Sequence, residues 1–328
     1  MTTIQKNGPV LKLAGYFQAS ANSYLSGLSL NNVPGYYNII DVSTAVLDAQ
    51  GMLKFDWNPS TLNIPMVKEV RTEKNMTVLL SVGGENGNFN FLNSSSQVTN
   101  FYNSLAEFYI NWGFDGIAFD IRQLDSANLP YIVKAIQWFH ESFPEAVLSI
   151  IAQATDVCPA AGGIDKKWNR LAPLINQLRD IIDWLQVRAY GYGSAYEELK
   201  NTQPTQPPPP SSPPREDAGN TIPIGDPGGM LEYIFASFVK PFVFSSPTEQ
   251  DDITGTYGYY GFDAAKLMLG VQPVSLLGPE YYVDPQDLRQ VIQDLKNNYN
   301  ETAGGVMISS INDDARNIYD YTRRFTGQ

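Results

Sequence analysis

The chain has 328 residues, 43% of them hydrophobic, which is enough to bury a sizeable core. Its formal net charge of -12 argues against nucleic acid or an anionic membrane as partner, while leaving room for a local positive site. A single cysteine, Cys158, and a single histidine, His140, leave no disulfide framework, no metal-ligand spacing and no good basis for a His-dependent triad. Both are read as packed structural residues, and no metal or cofactor is expected.

In chain order, the amino terminus Met1-Thr-Thr-Ile-Gln-Lys6 is polar and lacks the features of a secretion signal. No apolar run reaches the roughly 18 residues that span a membrane. The expectation is a soluble chain, cytoplasmic as encoded or exported by a route that reads no such signal. Short apolar runs predict strands at Leu11–Phe17, Tyr37–Val46, Thr77–Gly83, Gly116–Asp120, Val147–Ala152, Ile182–Tyr190, Leu267–Val271 and Val306–Ser310. Helices are predicted at Gln97–Trp112, Leu129–Phe143, Trp168–Arg179 and Pro285–Tyr299, the last opened by Asp284 as N-cap and a proline at the first helical position.

Strands alternating with helices predict an α/β fold, a closed parallel (β/α)8 TIM barrel over residues 1–328 as one domain. An open doubly wound sheet is the alternative, and eight well-spaced repeats favour closure. One connection breaks the rhythm. Residues 201–229, after strand six, contain Gln203-Pro-Thr-Gln-Pro-Pro-Pro-Pro-Ser-Ser-Pro-Pro214, a tract unable to form helix or central strand. It is read as a Pro-rich loop at the carboxyl face, or as a lid or docking arm for a protein partner. The aromatic run Tyr233–Phe244 is expected to pack onto the barrel. The strand-seven-to-eight gap is too short for an added α+β subdomain.

The most informative segment is Asp115-Gly-Ile-Ala-Phe-Asp-Ile-Arg122. It follows a helical run and a turn at Gly113, and it is short and apolar, as a strand buried on both faces is. Side chains alternate along a strand, so Ala118, Asp120 and Arg122 share a direction. Upstream lie Leu13-Ala-Gly-Tyr-Phe17 and Ser81-Val-Gly-Gly84; downstream lie Arg188-Ala-Tyr-Gly191, Lys266-Leu-Met-Leu-Gly270 and Gly304-Gly-Val-Met307.

In this order and spacing, these segments resemble glycoside hydrolase family 18, the chitinases and their relatives, whose pattern is Asp-Gly-x-Asp-x-Asp-x-Glu. The resemblance implies that a Glu protonates the leaving oxygen, while a neighbouring Asp orients the substrate's own N-acetyl group, which acts as nucleophile. A strand-six Tyr helps to hold it. Residue by residue, Asp115 and Asp120 match, the middle Asp is Ala118, and the proton donor is Arg122. The family's strand-six Met-x-Tyr-Asp stands here as Arg188-Ala-Tyr190-Gly191, and its strand-eight Trp aligns with Ser309. A guanidinium stays charged and cannot act as a carboxylic acid.

By parity Arg122, Arg188, Asp120 and Tyr190 meet at the mouth, with Tyr16 nearby. Two readings of the arginines stay open. Asp120 pairs with both in an internal network, or an anionic group binds there, which guanidinium geometry suits. Asp156 and Asn312-Asp-Asp314 follow strands and can line the mouth, although such loop residues more often cap and turn. Tyr257-Gly-Tyr-Tyr260 can stack on sugars or simply fill core. The Asn-x-Ser/Thr sequons at Asn75, Asn93 and Asn300 carry little weight without a secretion signal. The leading expectation is therefore a catalytically inactive chitinase-like protein that binds a glycan or an anionic small molecule, or serves as an assembly module. Its alternatives are a glycosidase of altered mechanism using Asp120 and a relocated carboxylate, and a structural subunit of a bacterial toxin complex.

Overall fold

The computed structural model describes residues 11–19, 27–158, 169–190, 227–244, 257–275 and 282–328. Eight apolar segments form parallel strands: β1 (Lys12–Gln18), β2 (Ile39–Leu47), β4 (Thr77–Gly83), β5 (Gly116–Asp120), β6 (Val147–Gln153), β7 (Trp184–Arg188), β10 (Leu267–Val271) and β11 (Gly305–Ile308). Each pairs with the next around the ring, and β1 pairs with both β2 and β11, so the sheet closes. Closure removes the exposed edges that an open sheet would leave. This is the expected (β/α)8 barrel, with every strand within one or two residues of its predicted place at most ends.

Two short additions were not anticipated. Strand β3 (Leu53–Phe55) turns back antiparallel on the end of β2, and β8 (Phe242–Phe244) pairs antiparallel with β9 (Tyr257–Tyr259) beside the barrel. At three residues each, the β3, β8 and β9 strands are too short for an alternating pattern to mark them.

The helices are α1 (Ile64–Glu73), α2 (Ser95–Trp112), α3 (Leu129–Ser142), α4 (Ala172–Leu178), α5 (Pro227–Val239), α6 (Pro285–Tyr299), α7 (Ile311–Arg316) and α8 (Asp320–Thr326). Their ends follow local chemistry. Ser94 caps α2 by accepting from the Gln97 N–H, and Gly113 ends it in the left-handed conformation. Asp284 caps α6 through the Gln286 N–H at 2.9 Å, as expected. Helix α1 carries the same signals, Asn63 accepting from Met66 N–H and a proline in the first turn, and went unrecognised in the sequence.

The Pro-rich tract Gln203–Pro214 lies outside the described residues, as does Trp168. Of the insertion expected at 201–229, positions 227–229 belong instead to α5. Proline suits the first turn of a helix, where its missing N–H is not needed. Within the following aromatic run, Ile234, Phe235 and Phe238 are buried in the core.

Packing divides into two cores. The outer one lies between strands and helices. The inner one fills the barrel with Ala14, Tyr16, Ile39, Leu79, Ala118, Ile151, Met268 and Met307, drawn from alternating strand positions. At the amino end of β5, Asp115 accepts from the Val78 N–H at 2.8 Å and from Arg71 Nε at 2.7 Å, locking α1 to the barrel floor.

At the carboxyl end, the Gly83-Gly84 pair explains the Ser-x-Gly-Gly signature. Gly83 has φ +112°, and a Cβ there would lie 2.3 Å from the Asp120 carbonyl oxygen. Gly84 donates its N–H to that same oxygen at 2.9 Å. Gly83→Ala should therefore destabilise the fold by about 1–3 kcal/mol or more, read as a lower urea midpoint with unchanged m-value.

Candidate ligand site at the carboxyl end of the barrel

Asp120 ends β5 with its side chain turned into the barrel mouth, where it is 1% exposed. Three side chains from different places converge on it. Tyr16 of β1 donates its hydroxyl at 3.1 Å, and Arg188 of β7 donates Nη1 at 3.0 Å. Arg122, two residues beyond Asp120 and so on the same side, folds back to donate Nε at 3.3 Å and Nη2 at 3.1 Å. Arg188 is 3% exposed, whereas 32% of the Arg122 side chain is accessible. The carboxylate thus sits inside a bracket of two guanidinium groups and a phenol. Charge-assisted bonds of this kind offset the cost of withdrawing Asp120 from water.

A second polar set lies within the barrel. Gln186 of β7 donates Nε2 to Ser149 Oγ at 3.0 Å and to Asp41 Oδ1 at 3.3 Å. Ser81 Oγ stands 3.5 Å from the Tyr16 hydroxyl. Asp41, on β2, is wholly buried. Burial pushes its carboxyl up to about 7; the Gln186 bond opposes this and the nearby Asp120 charge adds to it. Burial likewise pushes the Tyr190 phenol up to about 12, against the lowering effect of Arg188, and raises Tyr16 well above its ordinary value with help from Asp120. Both phenols remain O–H donors at neutral pH. Four kinds of buried polar atom in this region have no hydrogen-bond partner: Asp41 Oδ2, Gln186 Oε1, and Arg188 Nε and Nη2.

The family model for glycosyl hydrolases family 18 matches residues 12–216. The chain belongs to that family. A family 18 chitinase from Chromobacterium violaceum superposes with a TM-score of 0.75 at 23% identity, covering 97% of this chain and 83% of its own. YKL-39, solved in the presence of chitooligosaccharides, matches with a TM-score of 0.63 at 15% identity over 96% of this chain and 98% of its own. The xylanase-alpha-amylase inhibitor protein XAIP-I, solved with trehalose, gives 0.62 at 18% identity, covering 97% and 99%. No curated protein matches by sequence.

In this family 18 barrel the motif positions separate. Asp120 and Arg122 meet at the mouth with Tyr16 and Arg188, and Tyr190 is half-buried against the inner core. Ala118 lies one pleat deeper, buried, and brings no polar side-chain atom to the set. Asp115 is at the opposite end of its strand. Ser309 is half-buried past the end of β11, its N–H bound to the Val271 carbonyl at 2.9 Å.

The loop acids serve the scaffold. Asp156 accepts from the Gln153 N–H at 2.7 Å and from Arg170 Nη2 at 2.9 Å. Asp314 accepts from the Tyr37 hydroxyl at 2.7 Å and from Thr322, while Asn312 accepts from the Gln18 N–H at 2.9 Å. Tyr259 is buried and donates to the Phe238 carbonyl at 2.8 Å, whereas the Tyr260 ring is exposed.

Sequence reasoning missed three residues. Asp41 and Gln186 are polar side chains at inward positions of otherwise apolar strands, and that parity was the available signal. Arg170 donates to the carbonyls of Ile121 and Arg122 as well as to Asp156, and so fixes the turn that presents Arg122. Nothing in its neighbours along the chain marks that role. Among the described residues, no cluster of His, Cys, Asp and Glu is placed to hold a metal ion, and no helix is long and apolar enough to cross a membrane.

Replacing Asp120 by Asn should strand two cations and cost about 3–5 kcal/mol in urea denaturation. The raised Asp41 carboxyl sets a pH signature of its own. Unfolded Asp41 gives up its proton near 3.8, whereas the folded form keeps it to about 7. The stability this contributes is complete below the unfolded value and is lost as pH rises through the folded one. Between about pH 4 and 7 the Tm of the parent should fall relative to that of Asp41→Asn, in which this proton is absent.

Proposed function

We propose that this family 18 chain binds a glycan at the barrel mouth without hydrolysing it. The observation that carries the reading is the ion pair of Arg122 with Asp120 at the position where the family's pattern places a proton-donating Glu. A guanidinium does not release a proton at working pH, and loss of a general acid alone forfeits about 10²–10⁴ in rate. Asp120 is further occupied by Tyr16 and Arg188, so it is not free to orient an N-acetyl group. Support for glycan binding comes from the half-buried Tyr190 beside the cluster, and from a likeness in fold to YKL-39, a protein solved with chitooligosaccharides. The name of XAIP-I as an inhibitor supports the companion idea that such barrels can act through protein contacts.

Two measurements test this. A chromogenic chitobioside should show no turnover that depends on Asp120, and Arg122→Glu alone should remain inactive because Ala118 and Ser309 are unchanged. Chitotetraose should bind saturably, and Tyr190→Ala should weaken it about 2–10-fold, the worth of one stacking ring. Hydrolysis abolished by Asp120→Ala would sink the proposal.

One observation favours a second reading. Asp41 holds a proton up to about pH 7 in the same barrel, so a displaced acid is chemically present. Its complete burial stands against contact with a sugar oxygen. Chitobioside turnover lost in Asp41→Asn would select this reading over the first.

A further inference from the structure

A cavity of about 280 Å³ lies on the rim of the same barrel face, apart from the mouth. One wall is the segment leaving the carboxyl end of β10, and the other is the turn between α7 and α8. Tyr16, Asp120, Arg122, Arg188 and Tyr190 take no part in it. Its volume falls just under the roughly 300–1,000 Å³ of pockets for drug-sized ligands, so it suits one or two small rings.

The lining has two sides. Pro273, Tyr282 and Tyr321 make one of them apolar. Tyr321 is buried, stands edge-on to Tyr282 at 5.9 Å and donates its hydroxyl to the Val283 carbonyl at 2.7 Å. Tyr282 is therefore the half-buried ring that a ligand meets. Ser275, Asn317 and Asp320 make the other side polar, and all three are exposed. Among the described residues, nothing hydrogen-bonds the Ser275 hydroxyl or the Asn317 amide. Asp320 meets Arg323 and Arg324 only at 3.8 Å each, with 52% of its side chain accessible.

The turn that carries Asn317 and Asp320 has an unusual shape. Ile318 and Tyr319 between them have positive φ, 55° and 54°, where a β-branched residue is strained. The Ile318 N–H bonds the Ala315 carbonyl at 3.0 Å, the Tyr319 N–H bonds the Asp314 carbonyl at 2.8 Å, and the Tyr319 ring packs edge-on to Tyr36. Strain of this kind persists only where the surroundings over-determine it, and it clusters at ligand clamps. Here it brings an unengaged amide and a carboxylate to one cavity wall.

We propose that this cavity is a second sugar site, for a neutral saccharide unit, independent of the barrel mouth. A carboxylate accepts from adjacent hydroxyls, an amide both donates and accepts, and an aromatic ring covers the apolar face of a pyranose. Asp320 is the one charged side chain among the described lining residues, which disfavours an anionic sugar. Its charge is already shared with two arginines, so a cation finds no unmet charge there.

Isothermal titration of the full chain with N,N′-diacetylchitobiose, a neutral disaccharide, provides the test. The parent should bind two equivalents. Asn317→Ala removes a side chain that holds nothing in the fold, so Tm should stay put while one equivalent weakens about 3–10-fold, the worth of a hydrogen bond. Asp320→Asn should act on that same equivalent, and Tyr190→Ala only on the other. A single equivalent, weakened by Tyr190→Ala and untouched by Asn317→Ala, would overturn the second site and leave the mouth reading standing. A single equivalent weakened by Asn317→Ala alone would uphold the second site and remove the mouth reading. Binding at neither would remove both. Tighter binding of the deacetylated, cationic disaccharide, lost in Asp320→Asn, would make this a cation site and overturn the neutral-sugar inference.

Discussion

The mouth of this barrel is organised around one buried carboxylate. Asp120 receives a phenol from β1, a guanidinium from β7 and a second guanidinium from its own strand's continuation. Its carbonyl oxygen meanwhile accepts from Gly84, across a gap that only the absent side chain of Gly83 leaves open. Side chain and main chain of a single residue thus tie together β1, β4, β7 and the turn after β5. Withdrawing a carboxylate from water costs several kcal/mol, and the compensation comes from charged donors held at fixed strand ends. Two of the donors, Tyr16 and Arg188, are held in place because they leave different strands of a closed sheet.

The same geometry reverses the sign of the chemistry expected from the family pattern. Where a carboxylic acid able to give up a proton is expected, a permanent cation stands, and a second cation enters from β7. The scaffold is otherwise retained: Tyr16, Ser81 and Tyr190 occupy inward positions suited to the motif, and two of them are phenols kept in the donor form by burial. A surplus of positive charge in a markedly acidic protein is the physical remainder of those substitutions. At acidic pH Asp41 answers part of the electrostatic problem, because burial pushes its carboxyl up to about 7 and so keeps charge away from Asp120.

Much of this was legible along the chain. Runs such as Thr77–Gly83 and Leu267–Val271 are buried on both faces because helices cover one side and the barrel interior the other. Period-two alternation placed Ala118, Asp120 and Arg122 on one side, and a polar residue among inward aliphatic ones would have disclosed Asp41 and Gln186 too. The loop acids Asp156 and Asp314 likewise took the capping and tethering roles that turn chemistry favours, rather than joining the Asp120 set.

What the sequence by itself determined is the closed barrel, the identity of the altered motif and the side of the sheet on which each altered residue stands, since these follow from local periodicity and strand order. Tertiary structure alone decided that Arg122 and Arg188 share one carboxylate, that Arg170 braces the turn carrying Arg122, and that Arg188 keeps a bonding edge unused. Those outcomes depend on distances between residues as far apart as 120 and 188, set by strand tilt and register around the ring. Periodicity specifies direction, and only closure of the sheet specifies who is met there.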